Sequence, residues 1–246
     1  MALPSGASAI QIIPGPKPSI LFGQALTPAI DPVTSAHIWD EFISGGIVSG
    51  AIGSLGWETE GNAEILLGRD AHTNPGAIEL RTGPPSNSGM IYLGGGFIGS
   101  ETVIPYGLRM TWICRLRPFF VDYTARRRLG LGDNFFNDPP PSGIYFEHLS
   151  GETQWRAVVK DAASATEIRV NTGISVDTTW HKLVFAVNAS VNQIDFYIDD
   201  ILRASINYIV APLLDMVVGA HVFSINAALK SILIDLFEMR FSNLPR

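Results

Sequence analysis

Apolar and polar positions alternate along much of the chain, most plainly between Gly143 and Asp200. There, short runs rich in aromatic and β-branched residues are separated by SGET, KDAASA, NTGISVDTT and NASVN, the turn chemistry expected between consecutive antiparallel strands. From His181 to Asn188, Leu183, Phe185 and Val187 fall on one face and Lys182, Ala186 and Asn188 on the other, with Val184 outside the pattern. The next run places Ile194, Phe196 and Ile198 inward and Gln193, Asp195, Tyr197 and Asp199 outward. Two strands with one apolar face each need a second layer to cover it, which predicts a β-sandwich.

The same period of two recurs elsewhere. Leu108, Met110, Trp112, Cys114 and Leu116 share one face, and Arg109, Thr111, Ile113 and Arg115 the other. Further strands are expected at His37–Phe42, Ile65–Gly68, Ala77–Thr82, Met90–Gly94, Arg127–Gly132, Ile201–Ile206 and Met216–Phe223. The glycine-rich run after Phe42 predicts tight turns with Trp57 as a buried anchor, and Asn226–Lys230 reads as a turn or one short helical turn. Ser231–Phe241 is apolar on both faces, as a strand in the middle of a sheet or at a subunit contact would be.

Residues 1–36 break the pattern. Pro4, Pro14, Pro16, Pro18, Pro28 and Pro32 block helix interiors and central strands. Yet Ile10, Ile12, Ile13, Ile20, Leu21, Phe22 and Leu26 exceed the apolar content of a solvated linker. An extended arm lying along a surface fits both facts, with Ile12, Ile13, Ile20, Leu21 and Phe22 as candidate subunit contacts. The division expected is therefore an arm over 1–36 and a single sandwich domain over 37–246.

Composition changes the picture in three ways. Of 246 residues only 16% are charged and 46% are hydrophobic. So sparse a charge favours association, making a buried subunit interface one expectation and a thick, turn-rich sandwich the other. The net charge is −6, and Arg126, Arg127 and Arg128 form the one basic cluster, expected at an exposed loop and strand start. Three arginines do not supply a phosphate-neutralising surface, so no nucleic-acid partner is expected. Cys114 is the sole cysteine, which excludes an intramolecular disulfide and fits a small buried core residue. The first residues lack the pattern of a signal peptide, and no segment offers the roughly 18 uncharged apolar residues that span a bilayer. Neither the ordinary secretory route nor a membrane partner is expected.

The runs IWDEFISGGIVSGAIGSLGWETEG, RDAHTNPGAIELRTG, MIYLGG, RLGLGDNFFNDPPPSGIYFEHLSGETQWRAVVKD, TWHKLVFAVNASVNQIDFYIDD and IDLFEMRF together resemble a group of bacteriophage structural proteins. These carry a jelly roll similar to the concanavalin A-like lectin/glucanase fold. The resemblance covers about Ile38 to Phe241. It implies an all-β, antiparallel two-sheet jelly-roll sandwich in which GIYFE and the WHKL…FYIDD run are neighbouring strands and the last strand returns beside the first. It also implies a place on the virion, as a capsid decoration protein, a tail component or a spike module, and fold analogy does not choose among these.

Catalysis is not expected. Glucanases of this fold carry an E-x-D-x-E type run, whose alternate carboxylates stand roughly 6.6 Å apart along one strand, and the chain has none. Asp195 and Asp199 share a face but are separated by about 13 Å of strand, beyond the range of glycosidase pairs. Asp235 and Glu238 fall on opposite faces, no G-x-S-x-G elbow occurs, and the five histidines, His37, His72, His148, His181 and His221, show no metal-ligand spacing. No cofactor is expected, with calcium as the one metal to consider: Asp133, Asn134, Asn137 and Asp138 offer oxygen ligands in one loop, although such residues beside Pro139 also suit an ordinary turn. Glycan binding would need exposed aromatic platforms, for which Phe135, Phe136, Tyr145, Trp155 and Tyr197 are candidates.

The leading expectation is a non-enzymatic virion protein that decorates or cements a capsid. Its partners would be other virion proteins, the major capsid protein first among them, and further copies of itself, with a trimer as the stoichiometry familiar from phage particles. The alternative is a glycan-binding tail or spike module used for host attachment.

Overall fold

The computed structural model describes residues 9–13, 35–42, 52–53, 55–67, 76–82, 88–93, 107–118, 122–133, 140–160, 167–188, 191–208, 216–224 and 229–242. Sixteen strands occur among them: β1 (Ala9–Ile13), β2 (Ser35–Asp40), β3 (Glu58–Gly61), β4 (Ala63–Leu67), β5 (Ile78–Thr82), β6 (Ser88–Tyr92), β7 (Arg109–Arg115) and β8 (Ala125–Asp133) in the first half. The second half contributes β9 (Gly143–His148), β10 (Gln154–Lys160), β11 (Glu167–Ser175), β12 (His181–Asn188), β13 (Gln193–Ile198), β14 (Ile201–Asn207), β15 (Met216–Ser224) and β16 (Ser231–Ser242). No helix occurs among the described residues.

They form two antiparallel sheets, in the jelly-roll sandwich expected, but GIYFE and the WHKL…FYIDD run are not neighbouring strands: β9 pairs β8 and β10 in one sheet, and β12 and β13 pair each other in the other. One has nine strands, ordered β1-β2-β16-β7-β12-β13-β14, with β5 also pairing β16 and β4 pairing β5. The other has seven, ordered β11-β10-β9-β8-β15-β6-β3. The last strand does lie beside β2, with Phe237 opposite Asp40 and Phe241 opposite Ala36. Its first half pairs β5 and its flank pairs β7 along its length, so its two apolar faces belong to a central strand. A bulge at Asp235 separates Ile234 from Leu236 in that pairing.

The inner faces meet in one core. As the alternation predicts, Leu183, Phe185, Val187, Ile194, Phe196 and Ile198 are buried there, and Phe146 crosses from the seven-stranded sheet to meet Phe196 edge-on at 5.2 Å. Trp57, Trp112 and Phe237 form an aromatic cluster with centroids 4.9–5.7 Å apart, a geometry favoured by ring quadrupoles. Cys114 is buried among the same apolar residues, and burial raises its thiol pKa.

The Trp57 anchor is held by a carboxylate. Asp40 is buried and accepts hydrogen bonds from the backbone N–H of Phe42 (2.7 Å) and Leu55 (3.1 Å) and from Trp57 Nε1 (3.1 Å). Gly53 has φ +61°, and a Cβ there would stand 2.2 Å from Asp40 Oδ2. Both the conformation and the close approach demand glycine.

Within the segment expected to be an arm, β1 pairs β2 antiparallel, from Ala9 opposite Trp39 to Ile13 opposite Ser35. Residues 1–8 and 14–34, including Ile20, Leu21 and Phe22, lie outside the described residues.

Candidate ligand-binding face

Strand register assembles polar groups on the outer face of the seven-stranded sheet, the face turned away from the core. One row runs Asn171, Arg156, Glu147, Arg128, His221, Met90, Glu60 across β11, β10, β9, β8, β15, β6 and β3. The adjacent row runs Arg169, Val158, Tyr145, Gly130, Gly219, Tyr92, Glu58. Successive residues of a strand alternate in face, so these fourteen project together.

At the centre, Arg128 and Glu147 are both fully buried and joined by a hydrogen bond from Arg128 Nε to Glu147 Oε1 of 2.8 Å. Arg169 Nε stands 3.1 Å from the other Glu147 oxygen, and its Nη2 reaches Glu167. A carboxylate gripped by two guanidiniums is occupied by charge-assisted contacts, which suits an organising role. His221, buried beside Ser88 Oγ at 2.7 Å, is pushed down to about 3 by burial and then by the charges of Arg128 and Arg126. Burial, followed by the charge of Glu147, raises the Tyr145 phenol. Burial and the neighbouring Arg128 lower Arg126.

Between Tyr145 and Tyr92 the second row has two glycines side by side. At Gly130, with φ +154°, a Cβ would meet Ile144 O at 2.4 Å, and at Gly219 it would meet Ile91 O at 3.0 Å. The row therefore presents bare backbone between two phenol rings. Both ends of the row lie on edge strands, with Arg169 exposed on β11 and the other end at β3. Tyr92 is half-buried, its hydroxyl donates to Glu58 Oε2 at 2.9 Å, and Glu60 is exposed on the same face. The bond to Glu58 raises the Tyr92 pKa, with burial adding to it.

The three described glycan candidates, Tyr145, Trp155 and Tyr197, lie on different faces. Tyr145 is fully buried on this outer face, and Trp155 is buried on the inner face of the same sheet, its ring 6.4 Å from that of His148. Neither is an exposed platform, because both faces of β9 and β10 are covered and alternation alone does not reveal that. Tyr197 is on the outer face of the other sheet, half-buried with Arg109 over its ring at 5.7 Å. Phe135 and Phe136 lie outside the described residues, as do Asn134, Asn137 and Asp138 of the calcium candidates. Asp133 ends β8, its N–H donating to Ser142 O at 3.0 Å. Among the described residues no group of three or more His, Cys, Asp or Glu is placed to hold a metal.

The arginine cluster requires a correction. Arg127 and Arg128 are buried inside β8, not on an exposed loop. Arg128 faces outward to Glu147, whereas Arg127 faces the core end, where Nε donates to Ser231 O at 3.0 Å and Nη1 to His148 Nδ1 at 3.2 Å. Burial lowers Arg127 to about 10, so it keeps its charge at neutral pH. His148 donates from Nε2 to Glu152 O at 2.7 Å, and burial, with the Arg127 charge, pushes it down to about 4. Sequence reasoning missed Tyr92, Glu58 and Glu60. Tyr92 alternates outward from Ile91, and that alternation was the signal for it.

The sequence matches no protein-family model and none of the curated proteins. Solved structures share the fold. A carbohydrate esterase from the Shiga toxin-encoding bacteriophage phi24B superposes with a TM-score of 0.50 at 18% identity, over 82% of this chain and 98% of that one. The Emp47p carbohydrate recognition domain gives 0.56 at 11% identity, over 85% and 95%. A Bacillus licheniformis β-glucanase gives 0.55 at 12% identity, over 82% and 97%. The fold is thus the concanavalin A-like jelly roll of lectins and glucanases.

Proposed function

We propose that this chain is a non-enzymatic glycan-binding module of a bacteriophage particle, carried on a tail or spike, and that it grips saccharide at the β3–β6 end of the outer face. The observation that carries this reading is the half-exposed Tyr92 ring, with Glu58 at 2.9 Å from its hydroxyl and exposed Glu60 beside it. An aromatic ring offers an apolar platform to a sugar's C–H face, and flanking carboxylates accept from its hydroxyls. The buried Arg128–Glu147 pair behind it, capped by exposed Arg169, braces the sheet, as preorganised binding requires. A carbohydrate recognition domain and a phage carbohydrate esterase of the same fold support a carbohydrate as the ligand. The chain carries no E-x-D-x-E run, and Glu147 is held by Arg128 and Arg169, which supports binding rather than hydrolysis.

A saccharide array followed by calorimetric titration tests this. Binding to at least one glycan is expected, weakened tenfold or more by Tyr92→Ala in a variant that still unfolds cooperatively well above the titration temperature. Binding to none, or binding indifferent to Tyr92, removes the reading.

The second reading is the capsid decoration protein, which β1 favours: a strand on the sheet edge is the kind of element that ties subunits together. Copy number in purified particles separates the two. Hundreds of chains indicate a shell protein, and three to a few tens a tail or spike.

A further inference from the structure

The connection between β1 and β2 is out of proportion to what it joins. A hairpin pairing Ile13 with Ser35 needs a loop of about two to five residues. Here residues 14–34 intervene, 21 in all, with prolines at 14, 16, 18, 28 and 32. Paired residues of antiparallel strands lie about 5 Å apart, so in a closed chain this connection must end about 5 Å from where it starts. A flexible chain of that length spans roughly 25 Å on average, and a proline-rich one extends further, toward about 65 Å. Effective concentration is highest where a linker's natural length matches the gap it bridges. This linker matches a gap several times wider than the one inside a single chain.

We propose that β1 is exchanged: in the assembled protein, residues 9–13 of one chain pair with β2 of a second copy. The ladder from Ala9–Trp39 to Ile13–Ser35 is identical whether the strands belong to one chain or two, so exchange sacrifices no backbone hydrogen bond. It adds whatever the linker buries in crossing, and the linker carries Ile20, Leu21 and Phe22. β1 ends the order of the nine-stranded sheet. A subunit deprived of it would present the unpaired edge of β2, a template for uncontrolled association. Exchange closes that edge in every subunit, reciprocally in a dimer or cyclically in a larger ring. None of this depends on the glycan reading.

Register provides the test. In a Cys114→Ala background, Ile12→Cys and Ala36→Cys are introduced at positions that face each other across the ladder. They are placed on separate chains with different tags, which are refolded together and oxidised. Exchange predicts a disulfide between differently tagged chains that reductant dissolves. One chain carrying both cysteines should likewise yield covalent multimers, and a monomeric intrachain disulfide overturns the proposal. Light scattering on a parent chain and on a variant with 14–34 replaced by Asn-Gly decides the matter without any crosslink. Exchange predicts a multimeric parent and a monomeric variant, because Asn-Gly makes a tight two-residue hairpin. A parent monomeric at micromolar concentration, or equal masses for the two, also overturns it.

Discussion

Replacing Asp40 by asparagine is a near-isosteric change that should cost most of what the Trp57 anchor contributes. Oδ1 of the carboxylate accepts from Phe42 N–H at 2.7 Å, and Oδ2 accepts from both Leu55 N–H and Trp57 Nε1 at 3.1 Å. An amide can keep the first bond, but its NH₂ then faces two donors. Hydrogen bonds to a charged acceptor contribute about 1.5–3 kcal/mol each. Two lost bonds, less the desolvation recovered when the buried charge disappears, leave a net cost of about 2–4 kcal/mol. Asp40→Ala should cost about 3–5 kcal/mol, since all three donors lose their acceptor. Urea unfolding followed by tryptophan fluorescence measures both. If Asp40→Asn unfolds within 0.5 kcal/mol of the parent, roughly the scatter expected of a neutral surface change, the carboxylate does not organise the turn.

Three further outcomes follow from the structure. Glu147→Ala strands the buried Arg128 and should destabilise by about 3–5 kcal/mol, whereas Arg128→Met with Glu147→Leu should restore stability to within about 1 kcal/mol, as chemical denaturation will show. His148 and His221 titrate near 4 and 3 when folded, below their unfolded value, so the unfolded chain binds more protons. Stability should therefore fall as pH drops below about 6.5, by up to about 1.4 kcal/mol per pH unit for each histidine, until the folded values are passed. Glu238 extends the loss: burial would raise it, but His37 and Arg240 hold it near 2, so its contribution disappears between its unfolded value and pH 2. Substituting either histidine with glutamine should flatten the upper part of that slope in thermal melts. Finally, Asp199 and Asp200 form the two-residue turn between β13 and β14 with φ of 53° and 63°, and Asp200→Gly should stabilise by about 0.5 kcal/mol once the exposed Lys182 contact is subtracted.

What the sequence discloses here depends on how local the cause is. The β12–β13 pair was legible because its inward and outward positions alternate against a single core, and Trp57 was legible as an anchor amid glycines. The second half of β11 has the sequence of a turn: Asn171 to Ser175 is largely polar because an edge strand is solvated, and Gly173 at φ 73° imitates turn chemistry. The fate of Arg128 is not legible, since its partner Glu147 comes from a second strand and is shared with Arg169 from a third. Tyr145 and Trp155 are adjacent in neither face nor environment, although both sit in aromatic runs that look alike. β1 is not legible, because five residues amid prolines carry too little pattern to outweigh them.

Hydrogen exchange with and without a bound saccharide tests the central claim most directly. Slowed exchange confined to residues 58–61 and 88–92 is the predicted result. Protection that appears instead around Tyr197 and β14, or none anywhere at saturating saccharide, would contradict the assignment of the binding face.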